Sequence, residues 1–412
     1  MKHFNLFFIG ITIIIFTTMG FSQNEKFWNQ RKEKNHKSSV FYPPVCNIQL
    51  YNDGIDTAWT RYYKSNKIDA DDLPTHVAID MSGNCYVTGY VKNAGSEDDV
   101  MTLKYDKNGN LEWEAIFDGP GHYSDYAYAI ASDREGNVYV TGETYGQADC
   151  DLFVIKYNTD GIRQWLATYN GPNNSYDGGS AIVLDTIGNV YVTGYSWNSL
   201  NSDYVTVKYN SNGVQQWATR YNGVNSNDGA TAIDIDVEGN VYITGYSSNT
   251  GTSFDYATIK YTNAGVQQWV SRYNHSSNLD DRPKAIIVND SGNVFVTGGS
   301  LGSTSDYDFA TVKINSAGIQ QWVARYNSPD NNRDMAYDLA LDDSNNVYVT
   351  GLSYRSTSYS DYFTIKYSNN GIKQWETRYN GTGNSDDVAY KIKLDDSSNV
   401  YVGGTSYNSG TY

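Results

Sequence analysis

The chain has 412 residues, 15% of them aromatic and only 18% charged, with 38 Tyr and a formal net charge of −16. Such a length ordinarily means two or three domains, but it also suits one domain grown by repetition. The acidic balance argues against a nucleic-acid surface, whose phosphates would be repelled. Short β-branched and aromatic runs punctuated by Gly, Asn, Ser and Asp predict an all-β chain.

In chain order, residues 1–22 come first: Lys2, an apolar run from Phe7 to Phe16, then Gly20-Phe21-Ser22, the pattern of a cleaved signal peptide. Lys26, Arg31, Lys32, Lys34 and Lys37 follow, as they would after a membrane anchor, but the run is shorter than the roughly 18–20 residues a span needs. The expectation is export, to the envelope or beyond, with no membrane span in the mature chain. Residues 23–45, with five basic and two acidic side chains, read as a polar basic linker. Cleavage removes Lys2 and takes the charge to −17, which leaves −20 on the body that follows.

From residue 46 onward the sequence repeats. Trp recurs at 59, 113, 165, 217, 269, 322 and 375, and the Gly of a Val-Thr-Gly run at 89, 142, 194, 245, 298, 351 and, as Val-Gly-Gly, 404, a period of about 53 residues. Each copy holds four strand-like runs, as in Asp228 to Asp236, Asn240 to Tyr246, Asp255 to Tyr261 and Val266 to Tyr273. Turns such as Asn263-Ala264-Gly265 join the last two, where Gly supplies the positive φ of a hairpin. Four antiparallel strands per repeat predict a propeller blade. Ala in the first run (129, 181, 232, 285, 336, 389) and Trp in the last place the first run at the crowded axis and the last at the rim. Cys46 to Tyr62 matches only the third and fourth runs, and Asp387 to Ser406 only the first and second. The expected fold for 46–412 is therefore a seven-bladed β-propeller, its last blade closed by strands from both chain ends, and monomeric.

The recurring Gly-Asn-Val-Tyr-Val-Thr-Gly (136–142, 188–194, and 239–245 with Ile243) followed by Asp-Tyr-x-Thr-x-Lys-Tyr (203–209, 255–261, 361–367) resembles the SBBP β-propeller repeat family. The resemblance implies a seven-bladed fold on exported bacterial proteins and no established activity. The C-terminal sorting domain common in such proteins is not seen here.

Several patterns bear on chemistry. Asp72, Asp125, Asp177, Asp228, Asp281, Asp334 and Asp387 open the first run of every copy, and Asp99, Asp151, Asp203, Asp255, Asp308 and Asp361 lie at the start of the third. Two readings stand: a cation site at one channel mouth, with calcium as the ion hard carboxylates suit, or carboxylates that accept nearby backbone N–H groups. Asp80, Asp133, Asp185, Asp236, Asp342 and Asp395, with Asn289 in one copy, read as turn residues. A Lys precedes each Trp by nine residues from Lys104 to Lys366; a two-residue turn would pair Ser211 with Val214 and stack Lys208 on Trp217, whereas a three-residue turn with a bulge would shift that register, and either way the pair reads as architecture. Cys46, Cys85 and Cys150 match no zinc or redox spacing and allow one disulfide at most, or none if they are small buried residues. His76, His122 and His275 occupy unrelated positions, and no Gly-x-Ser-x-Gly elbow is present.

The longer connections, such as Tyr195 to Asn201 with Trp197, Tyr246 to Ser253, and Leu352 to Tyr359 with Tyr354, use the Tyr, Ser, Asn and Gly of binding surfaces. The expected role is non-catalytic: an exported binding or scaffold module for a protein or glycan at the cell surface, needing no cofactor unless calcium. A carbohydrate-binding or adhesion module is one alternative. A quinoprotein-like enzyme is another, because Asn158 to Trp165 looks like the Trp-docking motif of such propellers, although their adjacent cysteines are absent.

Overall fold

The computed structural model describes residues 73–406 apart from 93–96, 225, 250, 382 and 396. The expected signal peptide, linker and half-blade at 46–62, together with Asp72, Trp59 and Cys46, lie outside them. Among the described residues are 26 strands and no helix. They form six four-stranded antiparallel sheets, at 73–117, 125–169, 177–221, 228–273, 281–326 and 334–379, and a two-stranded one at 387–406. Strand order follows the chain, as in Asp228–Ile235, Val241–Ser248, Phe254–Tyr261 and Gln267–Tyr273. This is β-propeller architecture.

The first strands are innermost. Each packs on the first strand of the next sheet. The charge of Lys391 reaches His76 and that of Lys393 reaches Asp234, in first strands of other sheets. The axis is less uniformly small than the Ala pattern suggests, because Tyr128, Lys284, Tyr337 and Tyr390 also lie on these strands.

Register explains the Val-Thr-Gly marker. Every first strand bulges at its middle, for instance between Ala127 and Ala129 and between Ala230 and Ala232. Near the bulge a carbonyl of the first strand leans on the glycine of the second. A Cβ at Gly89, Gly142, Gly194, Gly245, Gly298, Gly351 or Gly404 would lie 1.8–2.1 Å from that oxygen. Only glycine allows the two backbones this approach.

Consecutive sheets then share their cores. Tyr191 and Tyr204 of the third sheet are buried with Val241, Ile243 and Ile259 of the fourth, and the same pattern repeats around the molecule. At the rim, each Trp Nε1 donates to a carbonyl in the outer turn of the next sheet: Trp113 to Thr159, Trp165 to Ser211, Trp217 to Asn263, Trp269 to Ser316 and Trp322 to Asn369, at 2.9–3.1 Å. That turn offers a bare glycine to the indole. A Cβ at Gly161, Gly213, Gly265, Gly318 or Gly371 would come within 2.7–2.8 Å of the ring, and all five have positive φ.

Of the two outer turns the sequence allows, the structure has the longer one with a bulge. Asn210 N donates to Val214 O and Gly213 N to Asn210 O, so Ser211 does not pair with Val214, and a bulge follows at Tyr209. Lys208 nevertheless stands opposite Trp217. Its ammonium lies not on that indole but over the strand-two ring of Tyr191, and the six lysines lie 4.5–5.8 Å from such rings, Phe295 being the one that is not Tyr. In register each Lys stands between the strand-two ring on one side and the Trp on the other, and its ammonium turns to the strand-two ring.

Gly194→Ala is expected to lose about 3 kcal/mol or more of stability, because backbone and not a movable side chain meets the new methyl. Denaturant unfolding measures this. A loss below about 0.5 kcal/mol, the size of an ordinary surface change, would mean that the strands are not so closely apposed.

Candidate functional site

The first-strand aspartates Asp125, Asp177, Asp228, Asp281, Asp334 and Asp387 are all wholly buried. Each accepts the backbone N–H of a residue five or six earlier, Gly119, Gly171, Gly223, His275, Ser328 and Gly381 respectively, at 2.5–2.9 Å. Each therefore ties down the connection that enters its own sheet. Burial raises Asp125, Asp177, Asp281 and Asp334 to about 6 and moves Asp228 upward too. The acidic neighbours that add to this are third-strand aspartates of the preceding sheet, Asp99, Asp151, Asp203, Asp255 and Asp308, joined at Asp125 by Asp118. The structure thus groups carboxylates in pairs at each sheet junction.

Those pairs have a partner that the sequence reading passed over. Three residues after Trp stands Arg220, Arg272, Arg325 or Arg378, bridging Asp203 at 2.6 Å, Asp255 at 3.6 Å, Asp308 at 2.7 Å and Asp361 at 2.8 Å. The same guanidinium donates to a second-strand hydroxyl, Ser196, Ser247, Ser300 or Ser353. The available signal was Trp-x-x-Arg-Tyr in four copies, against Ile116 and Thr168 at that place in the first two sheets.

Trp197 and Tyr354 occupy the same register position in the third and sixth sheets, with two sheets between them, so they form no common site. Both are half-buried. Tyr354 meets Tyr359 edge-on, with ring centroids 6.4 Å apart. The connections around them form one face: Asn201 Nδ2 donates to Ser226 O, Ser202 N to Asn227 Oδ1 and Ser356 N to Asp330 Oδ2, each joining a strand two-to-three loop to the connection between sheets. On it Leu200 is 88% and Tyr359 57% exposed. The opposite face, with the tight turns, bears a row of aliphatic side chains not foreseen, Ile162, Val214, Val266, Ile319 and Ile372, each 57–64% exposed.

One buried cluster breaks the repeat. Glu143 accepts the hydroxyls of Tyr128 at 2.7 Å and Tyr145 at 3.1 Å, and that of Tyr195, with Cys150 Sγ at 3.7 Å. Burial, followed by the Glu143 charge, pushes Tyr128 and Tyr195 well above their ordinary value. Cys85 and Cys150 are both buried free thiols. The turn aspartates cap their turns as expected: Asp236 holds Glu238 N and Asn240 N, and also the hydroxyl of buried Tyr242.

Acid carboxylates raised by burial hold protons in the folded state that the unfolded chain releases, so they favour folding as pH falls from about 6 toward their ordinary value. Asp125, Asp151, Asp177, Asp234, Asp281 and Asp334 are all raised from 3.8 to about 6. Half-buried His76, lowered to about 4 by desolvation, acts in the opposite sense over the same window. The aspartates outnumber it. With divalent cations chelated, the thermal midpoint is expected to be higher near about pH 5 than at pH 7. A midpoint that falls steadily over that interval would show that these carboxylates are not held so tightly.

Residues 119–147 match the SBBP β-propeller repeat. A WD repeat-containing protein of Acanthamoeba polyphaga mimivirus, L264, is 28% identical over 30% of this chain, which spans 10% of that protein. Among solved structures, the periplasmic gluconolactonase PpgL of Pseudomonas aeruginosa is similar with a TM-score of 0.49 at 11% identity, covering 84% of this chain and 93% of its own. A PL25 ulvan lyase scores 0.46 at 12% identity over 80% and 92%. The propeller domain of the Trilobed protease of Pyrococcus furiosus scores 0.44 at 6% over 79% and 87%. With its stacked four-stranded sheets and the matched repeat at 119–147, the chain is a β-propeller that carries the SBBP repeat.

Proposed function

We propose that the protein is an exported, non-catalytic module that binds a protein or glycan through the face bearing its longer connections. The observation that carries this reading is the division of labour among side chains. The recurrent Asp, Lys, Arg and Tyr are engaged with one another inside and between sheets, whereas the joined loops of one face differ from copy to copy. A regular frame with variable, mutually braced loops is how scaffolds present recognition surfaces.

The row from Ile162 to Ile372 supports a second reading, docking of an apolar protein surface on the opposite face. Glycan arrays and pull-downs from the native envelope identify the partner. Leu200→Ser with Tyr359→Ser is expected to weaken capture at least about tenfold, or ~1.4 kcal/mol, without moving the thermal midpoint. Loss of capture instead in Val214→Ser with Val266→Ser transfers the site to the tight-turn face. Turnover of a substrate that disappears on changing a single Asp or His would overturn the non-catalytic reading.

We further propose seven blades, residues 46–62 supplying the outer strands of the one begun by 387–406. Cys85, Met101 and Leu103, on the face of the first sheet turned away from the second, are buried in a cluster of their own, which supports a covering sheet there. Deleting residues 387–412 is expected to abolish cooperative unfolding. A truncated chain that melts sharply near the full-length midpoint would refute closure.

A further inference from the structure

Each outer turn holds the Trp of the preceding sheet through the carbonyl of one residue, which is not constant: Thr159, Ser211, Asn263, Ser316 and Asn369. Only the two asparagines carry an amide side chain there. In both cases the Lys of the preceding sheet donates to that amide, Lys208 Nζ to Asn263 Oδ1 and Lys313 Nζ to Asn369 Oδ1. By contrast, Lys104 pairs with Glu112 at 2.8 Å and Lys366 donates to the Tyr348 hydroxyl at 2.5 Å. The electrophilic carbon of each amide, Cγ, is one bond from the oxygen that the ammonium touches.

The two pairs differ in what surrounds them. Beside Lys208, the Tyr191 hydroxyl stands 3.3 Å from Asn263 Oδ1 and 3.1 Å from Asp185 Oδ2. The Asp185 charge also reaches Lys208, and in the sixth sheet the same turn carboxylate, Asp342, comes within 3.3 Å of the equivalent Lys366 ammonium. Amine, carboxylate, hydroxyl and amide therefore close a circuit. Beside Lys313 the carboxylate and the hydroxyl are both absent, because Asn289 and Phe295 stand at those positions.

Lys208 is 8% exposed, and burial holds its ammonium below the ordinary value, which favours the neutral amine that attacks carbonyl carbon. On the other side of the amide, Asn263 Nδ2 lies 3.2 Å from Glu238 O in an exposed turn, where a small leaving group escapes to solvent.

We propose that Lys208 and Asn263 join in an isopeptide bond that ties the third sheet to the fourth. Once its ammonium proton has gone to solvent, Nζ adds to Cγ, and the C=O π pair moves onto Oδ1, where the Tyr191 hydroxyl stabilises it. A second proton passes from Nζ to Asp185 and, through the Tyr191 hydroxyl, to the amide nitrogen. The pair on Oδ1 returns, the Cγ–Nδ2 bond breaks, and Nδ2 leaves as ammonia. One C–N bond replaces another, so the step needs no oxidant and no cofactor. Docking of Trp217 on Asn263 O holds the amide in place, which supplies the orientation that such a reaction requires. Lys313 and Asn369 lack the carboxylate and the hydroxyl and stay unlinked.

The test is the mass of the full chain, denatured and reduced, beside its variants. The wild-type chain should weigh one ammonia less than its sequence requires, and digestion should yield one branched peptide joining Lys208 to Asn263. Lys208→Arg keeps a cation over Tyr191 without the amine, and Asn263→Ser installs the residue found at 211 and 316. Each should restore the missing ammonia and lower the thermal midpoint. Asp185→Asn with Tyr191→Phe copies the pair that the fifth sheet already accommodates, and should leave most chains unlinked. A wild-type mass with no ammonia lost overturns the proposal. So does a loss that persists in Lys208→Arg, which would mark an asparagine cyclised onto its own backbone. A link undiminished in the Asp185→Asn, Tyr191→Phe chain, or a branched peptide at Lys313 and Asn369, overturns it too, since the carboxylate and hydroxyl would then have no part.

Discussion

The indole of the fourth strand, seen in the first five sheets, is the contact on which the arrangement of sheets depends. It is the large side chain that leaves its own sheet at the rim, and it lands on a glycine held at positive φ in the outer turn of the next one. A sheet packed face to face on a neighbour by apolar contact alone could slide, because dispersion has little directional preference. The Nε1 bond to a specific carbonyl fixes height and tilt together. The same turn must then meet two demands, reversing the chain and leaving room for a ring, and glycine satisfies both.

Beneath the indole sits a unit of four parts: the Trp, the ring of strand two, the Lys over that ring, and the turn Asp that takes its hydroxyl. The fifth sheet shows how these parts depend on each other. Asn289 replaces the Asp there, and Phe295 replaces the Tyr, so that a carboxylate and the hydroxyl that would donate to it are absent together. A buried hydroxyl without its acceptor, or the acceptor without its donor, would carry a desolvation penalty; the paired change avoids both. Asn289 instead reaches Asn345 in the next sheet.

Charge is handled by the same economy. An acidic chain buries an aspartate at every sheet entrance, which is unfavourable unless each finds donors and a counter-charge. Backbone N–H groups provide the donors in every described copy, and arginine provides the counter-charge in four sheets. The first junction has donors without arginine, a difference that a reading of the repeat as identical copies conceals.

The sequence by itself determined the architecture. Period, strand count and strand order follow from the recurrence of Trp, Val-Thr-Gly and Asp, since each mark answers a local demand: a turn, a bulge or a rim. It also placed Lys208 opposite Trp217 and capped the turns correctly, both being short-range relations along one hairpin. Tertiary structure decided everything that crosses between sheets. The arginine bridges, the docking of Trp on the following turn, the lysines turned to Tyr and the Glu143 cluster join residues far apart in the chain, and no local spacing encodes which of them meet. Asp99, Asp118 and Asp125 show the difference most directly: in the sequence two belong to repeated series and one is a substitution for asparagine, and only the packing of the first sheet on the second brings their oxygens to a single place.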